Sequence, residues 1–350
     1  MVNDDANTLS GMDATALFEW SEAVMLSLAK HHDLHLVCGY QGAELVGILP
    51  VAIERSPDRH PALRAPTDFY AGRSGLLLRG ADAKVLAALL EGIGRFAPGW
   101  RSYALVVLQG SQSDEVLTQL PGLSGFRVRR GSLLESPAFP LLANEDEFRK
   151  AMSKNHFQSL RKASNRGRAS NDFEIEVFDT ETRSAELLQH VLHVDAQSWK
   201  ESSGTSITTN PLQIEFYTKA LPALARAGVL MSAVLFHKGQ PAAYNFGVCR
   251  DGVYCCLKLS YVQELAFFSP GRVITAVLID LMRERGIRTY DFMGQPDAYK
   301  MQWSRSSRSY LRYSARIFNH SLMARGHYWL EPLWDVLKKR VANSLNSGFN

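Results

Sequence analysis

A chain of 350 residues is long for a single hydrophobic core and comfortable for two domains. Its 46% apolar and 21% charged residues give the composition of an ordinary soluble globular protein. The formal charge of +4 is small for this length, so bulk electrostatics demand no nucleic-acid partner. The opening MVNDDANTLSGMD has neither a basic region nor an apolar run, which argues against a secretory leader and leads us to expect a cytoplasmic protein. No uninterrupted apolar stretch approaches the length of a bilayer span. Four cysteines (Cys38, Cys249, Cys255 and Cys256) show no CxxC spacing and read as reduced core residues, the adjacent pair facing opposite sides of a strand.

Helix and strand signals alternate in the first half. A helix is predicted over Ala14 to Lys30, then strands over Leu34 to Cys38 and Leu45 to Ile53 around a Gln41-Gly42 turn. A second helix follows at Ala83 to Phe96 and a buried strand at Tyr103 to Leu108. Extended segments come next at Phe126 to Leu134 and Pro137 to Leu142, while the proline-rich Ser56 to Pro66 reads as a surface loop. Residues 144–170 break the pattern, setting Phe148, Met152, Phe157 and Leu160 among Arg149, Lys150, Lys154, Arg161, Lys162, Arg166 and Arg168. They read as a basic helical connector, either a solvated face or a groove for an anion.

The second half repeats the plan. A strand is expected at Phe173 to Phe178 and helices at Glu186 to Trp199 and Pro211 to Ala227. A hairpin of Val229 to Phe236 and Ala242 to Cys249 turns at Lys238-Gly239, and Val253 to Ser260 is a third strand. Its hairpin MSAVLFHKGQPAAYNFGV resembles LHLVCGYQGAELVGILPV of the first half, a hint of internal duplication. Ser269-Pro270-Gly271-Arg272 then opens a helix that ends at Arg285-Gly286; a strand at Ile287 to Met293 leads to Gly294 and to Tyr299-Lys300. Pro270 suits a first turn, Gly271 permits close approach, and free amides at such a start hold an anion such as a diphosphate. Ser269 as an ordinary N-cap is the competing reading. Tyr310 to Phe318 supplies a final strand, and Leu330, Leu333, Trp334, Leu337 and Val341 beside Lys338, Lys339 and Arg340 mark a terminal amphipathic helix. That helix docks on the protein, on a second subunit or on a membrane surface.

The series of helix, hairpin, strand, SPG-helix, strand with Asp291-Phe292-x-Gly294, and Tyr299-Lys300 resembles the BioF2-like acetyltransferase family. These are relatives of the GNAT acyltransferases that include CelD-type cellulose and exopolysaccharide biosynthesis proteins, and they are similar to the FemABX peptidyltransferases. The likeness covers most of the chain and is strongest over Gly239 to Trp303. Two departures stand out: His156-Phe157 replaces an expected arginine in the connector, and Asp195-Ala196-Gln197-Ser198-Trp199 lacks the basic residue that often precedes this tryptophan.

The resemblance implies an α/β fold of tandem GNAT-like domains, with mixed, mostly antiparallel sheets flanked by helices. The expected divisions are 1–143, a connector at 144–170, a catalytic unit at 171–320 and a terminal helix at 321–350. It implies acyl transfer from acyl-CoA (acetyl-CoA) to an amine-bearing acceptor, for instance a sugar or sugar nucleotide of a surface polysaccharide. Lys300, Tyr299 and Asp291 are the catalytic candidates, Lys300 for electrostatic stabilisation and Tyr299 as donor to the leaving group. Asp291 either handles the acceptor amine or pairs with Arg288 or Arg312. Ser269, Pro270, Gly271 and Arg272 are assigned to the donor phosphates, and Trp199, Asn245, Tyr261 and Trp303 to the acceptor. Backbone amides of Val253 to Ser260 are the candidate oxyanion donors, which requires that strand to be splayed from its neighbour. No metal is expected, since no HExxH, GxSxG or paired Cys-His motif occurs. Two alternatives remain: a transferase drawing on aminoacyl-tRNA, and a non-catalytic binding subunit of a polysaccharide assembly.

Overall fold

The computed structural model describes residues 17–56, 59–66, 73, 75–141, 146, 147, 150, 153–169, 172–303 and 310–330. Two mostly antiparallel sheets, each flanked by helices, make up the molecule. In chain order the first half supplies α1 (Phe18–Met25), β1 (Asp33–Gln41), β2 (Glu44–Ser56), β3 (Arg59–Arg64), β4 (Leu77–Leu78) and α2 (Ala83–Gly92). There follow β5 (Ser102–Leu108), α3 (Gln112–Ser124), β6 (Arg127–Arg130), β7 (Leu134–Ser136) and β8 (Ala138–Pro140). The second half supplies α4 (Lys154–Ala169), β9 (Phe173–Phe178), α5 (Ser184–Ala196), the single turn α6 (Trp199–Ser202) and α7 (Pro211–Arg226). Strands β10 (Ser232–His237), β11 (Gln240–Arg250) and β12 (Val253–Tyr261) precede α8 (Pro270–Glu284), β13 (Thr289–Asp291) and β14 (Tyr310–Phe318). Residues 331–350, which hold most of the expected terminal amphipathic helix, lie outside the described residues.

The second sheet has the order β8-β13-β12-β11-β10-β9. Its hairpins are tight because their turns accept left-handed backbone: Lys238-Gly239 (φ 52° and 75°) joins β10 to β11, and Asp251-Gly252 (φ 50° and 79°) joins β11 to β12. One face is buried under α5 and α7 through Leu187, Val194, Phe216 and Leu224 against Tyr244 and Phe246. The other lies under α4 and α8 through Leu160, Ile274, Leu278 and Met282 against Tyr254 and Tyr290. Cys255 and Cys256 enter these two cores separately, as strand alternation requires.

The first sheet runs β1-β2-β3-β5-β14-β6, with β4 on β2 and β7 on β14. Strand membership crosses between the halves. Tyr310–Phe318, expected to close the second half, instead lies between β5 and β6, pairing Arg312 with Leu108 and Phe318 with Ser102. Conversely, β8 pairs with β13 in the second sheet, and α1 packs on the second core, Trp20 meeting Phe216 edge-on at 4.9 Å. One local expectation needs correction, and one helix was not foreseen. The proline-rich loop contains β3, whose Leu63 is buried against β2 and β5; Pro61 is tolerated because it falls at the register break opposite Arg55. Helix α3, with Pro121 inside it, had no prediction at all. Among the described residues, no helix is long and apolar enough to cross a membrane.

Candidate active site

The site begins where two strands part. β12 and β13 pair in parallel only from Val253/Thr289 to Cys255/Asp291. Beyond that, β12 continues to Tyr261, while Met293 (φ 54°) and Gly294 (φ 67°) turn the other strand away. The pairing of β12 with β11 skips Leu257, a bulge that adds bend and twist at the same place. Val262 donates its amide to Ala242 at 2.8 Å, so alternation directs the backbone groups of Leu259 and Tyr261 away from β11, toward the open edge.

A cleft of about 860 Å³ occupies the gap. Cys256 to Leu259 and Tyr261 form one wall, and Phe292, Asp297, Tyr299 and Lys300 the opposite one. Ser269, Gly271 and Arg272 at the start of α8 close one end, and Trp199 and Lys200 of α6 another. Among the described lining residues, four cationic side chains, Lys200, Lys258, Arg272 and Lys300, thus face a single carboxylate, Asp297.

At the start of α8, Ser269 has left-handed backbone (φ 53°) and makes no side-chain cap, so the N-cap reading does not hold. Its carbonyl takes the amides of Arg272 and Val273, Pro270 has no amide, and that of Gly271 is left for a ligand. A Cβ on Gly271 would meet only Tyr261 Cδ1 at 3.5 Å, so packing does not require glycine and its effect is to leave the approach open. The Arg272 guanidinium is braced by Ser159 of α4 at 2.8 Å and by Gln302 at 3.0 Å. Nearby, His156 is buried edge-on to Trp303, and burial together with Arg272 lowers its ring pKa to about 4. The position where an arginine was expected therefore carries no charge at neutral pH.

Seven of the expected site residues line the cleft: Trp199, Tyr261, Ser269, Gly271, Arg272, Tyr299 and Lys300. Lys300 Nζ donates to the carbonyls of Gln295 (2.9 Å) and Met293 (3.3 Å) and lies 3.3 Å from Asp297 Oδ2, tying the wall together. The Tyr299 hydroxyl is buried beside the polar groups of Thr275 and Trp303, and desolvation raises its pKa, keeping the phenol protonated.

Pro270, Asn245, Trp303 and Asp291 are not on the lining. Pro270 is buried in the first turn of α8. Asn245 is fully buried beneath the floor, receiving the Tyr254 hydroxyl at 2.8 Å and reaching Tyr290 at 2.9 Å. Trp303 is packed behind Tyr299, stacked on Phe139 at 5.4 Å. Asp291 is fully buried, its carboxylate 2.7 Å from the Arg73 guanidinium and 2.8 Å from the Met293 amide. The salt-bridge partner is thus Arg73, which the sequence did not indicate; Arg312 lies near enough to feel the same carboxylate.

Sequence reasoning missed the lysines. Asp195 of α5 accepts the Tyr244 hydroxyl (2.6 Å) and the Ile207 amide (2.7 Å), and lies 3.6 Å from Lys258 Nζ. Burial pushes its carboxyl up, but Lys200 and Lys258 outweigh burial and hold it below the usual range. Lys200 Nζ donates to the Leu259 carbonyl at 2.6 Å, on the open edge of β12. A lysine between Leu257 and Leu259 inside a strand was the one available signal.

Residues 154–301 match the acetyltransferase (GNAT) domain family. No curated protein matches the chain. Among solved structures, the chain is similar to FemX at 14% identity, over 95% of this chain and 98% of that one, with a TM-score of 0.63. It is also similar to a conserved protein of unknown function from Bacteroides thetaiotaomicron VPI-5482 (13% identity, 90% and 96% covered, TM-score 0.56). A third likeness is to the C-terminal domain of a putative lysylphosphatidylglycerol synthetase from Agrobacterium fabrum (11% identity, 92% of each chain covered, TM-score 0.53). The parted strands, their bulge and the helix start beside them therefore lie within residues 154–301, the stretch that matches the acetyltransferase (GNAT) domain family, on a two-sheet fold similar to that of FemX.

Proposed function

We propose that the chain transfers an acyl group from acyl-CoA to an amine-bearing acceptor. The observation that carries this reading is the open edge of β12, where backbone amides turned away from β11 face a cleft that ends at an uncapped helix start. Preorganised amides stabilise a developing oxyanion without reorganising, and those of Leu259 and Tyr261 are turned that way. The Gly271 amide, Arg272 and the positive end of α8 suit the donor phosphates. In this reading Tyr299, held protonated by burial, protonates the leaving thiolate, while Lys300 keeps its wall in position and adds positive charge. Asp291 takes a structural part, fixing the end of β13. Exposed Trp199 offers the acceptor an aromatic face, which suits a sugar or sugar nucleotide of a surface polysaccharide. In the same reading the chain acts in the cytoplasm as two GNAT-like units drawn mainly from 1–143 and 171–303 and joined by 144–170, with β14 completing the first of them.

The test is to incubate the full chain with acetyl-CoA and longer acyl-CoAs and a panel of amines that includes amino sugars, following thiol release and thermal stability. A donor present at one hundred times its Kd stabilises the fold by about 2.7 kcal/mol. Stabilisation with turnover is expected, with Tyr299→Phe lowering kcat more than it changes KM. Stabilisation by aminoacyl-tRNA with none by acyl-CoA would replace this donor with the aminoacyl one. Binding of acyl-CoA without turnover of any amine would leave a binding subunit.

A further inference from the structure

Lys200 and Lys258 lie on the α5 side of β12, whereas Gly271 and Arg272 approach from α8 on the other face. Lys200 is only 8% exposed, and one of its donors is fixed on the Leu259 carbonyl at 2.6 Å. The groups that face it come from three elements. Asp195 belongs to α5, Tyr244 to β11 with its ring centre 5.7 Å from Nζ, and Lys258 and Cys256 to β12. Lys258 has a side chain 9% exposed, so two desolvated amines share one carboxylate, and that carboxylate already accepts from Tyr244 and Ile207.

Acylation of an alkyl amine needs a base, because the amine arrives as an ammonium ion with no free pair. Among the described lining residues there is no histidine or glutamate, and the one aspartate, Asp297, is half exposed and paired with Lys300. We propose that Lys200 is the general base that deprotonates the acceptor amine at the open edge of β12. This assignment rests on the acyl-transfer reading above. The neutral Lys200 amine takes one proton from the acceptor ammonium, and the freed pair attacks the acyl carbonyl carbon. The C–N bond forms, the thioester C–S bond breaks, and the thiolate leaves with the bonding pair. The acceptor nitrogen then sheds its second proton to solvent, and the thiolate is protonated in turn by Tyr299, which recovers its proton from the Lys200 ammonium through water. Burial, with help from Lys258 and against Asp195, brings Lys200 from the ordinary 10.5 to about 8, where a base serves well at working pH.

The experiment compares two acceptors on the full chain with acyl-CoA: an aliphatic amine, and hydroxylamine, which is already neutral at pH 7. With the aliphatic amine, wild-type kcat is expected to rise to a plateau through an inflection near pH 8. Lys200→Arg, which keeps the charge and cannot give up its proton, is expected to lower that kcat by about 100-fold or more. Hydroxylamine turnover in the same variant falls only several-fold, and Lys200→Met, a smaller side chain, gives the same split. Lys258→Met is expected to move the inflection to higher pH, because its charge depresses Lys200. Wild-type rates in Lys200→Arg, equal losses with both acceptors, or no wild-type inflection near 8 would overturn the assignment. The wild-type profile decides the matter alone if neither Lys200 variant folds. Absence of thiol release from wild type with either acceptor would instead sink the acyl-transfer reading, and this assignment with it.

Discussion

Asp291 has both oxygens engaged inside the protein, with Arg73 at 2.7 Å, the Met293 amide at 2.8 Å and Ser136 at 3.4 Å. Arg73 is 3% exposed and Asp291 is not exposed at all, so deleting either partner strands a charge away from water. We expect Arg73→Met to cost about 3–5 kcal/mol in urea unfolding, and the double replacement Arg73→Met/Asp291→Leu to recover much of that loss. An Arg73→Met protein of wild-type stability would show that the pair contributes nothing to the fold. Acyl transfer by folded Asp291→Asn is expected to stay within several-fold of wild type; a loss of 100-fold or more at unchanged stability would return Asp291 to the chemistry.

Gly247 of β11 stands opposite the bulge in β12. A Cβ there would come within 2.3 Å of the Tyr254 hydroxyl and ring and 2.6 Å of the Cys255 carbonyl, so backbone or ring must move. Gly247→Ala is expected to lose about 1–3 kcal/mol by overpacking, read as a lower Tm, and to weaken acyl-CoA stabilisation by disturbing the bulge. A variant with wild-type melting and donor binding would mean that the bulge tolerates the shift. Turn chemistry made this element legible in advance: Lys238-Gly239 fixed one hairpin, and the SPG start of α8 announced itself through its missing amide and missing Cβ. Lys200 and Asp195 were not legible, because nothing local in SWKES records that a helix end will be laid against a strand some sixty residues later. Helix α3 was hidden because Gln, Pro and Gly dilute its apolar stripe of Val116, Leu117 and Leu120. Asp291 was recognised as an anomaly in an apolar strand, but its partner lies across the molecule, beyond any local pattern.

At the scale of the molecule, the two sheets hold strands from each other's half of the chain. β14 lies between β5 and β6, burying Tyr313, Ala315 and Ile317 in the first core, and the Tyr313 hydroxyl reaches Asp114 of α3 at 2.6 Å. A fragment of residues 1–143 is therefore expected to lack a cooperative thermal transition, as is a chain cut after Trp303. A peptide spanning 304–330 added to the longer of these is expected to restore one, seen by circular dichroism. Cooperative melting of the 1–143 fragment alone would show that β14 is dispensable. The same exchange explains why chain order was a poor guide to sheet membership, although most of the strands themselves, β3 and β4 apart, were visible.

Placing a central strand so late also sets a schedule for synthesis. A ribosome adding about 5–20 residues per second needs on the order of ten seconds or more between finishing β6 and finishing β14. Throughout that interval β5 presents an unpaired edge and its buried face, Tyr103, Leu105 and Val107, has no finished core to enter. The nascent chain thus spends most of its translation with a sticky, half-built first sheet, and its yield in the cell will depend on how well chaperones shield that edge until the last strand emerges.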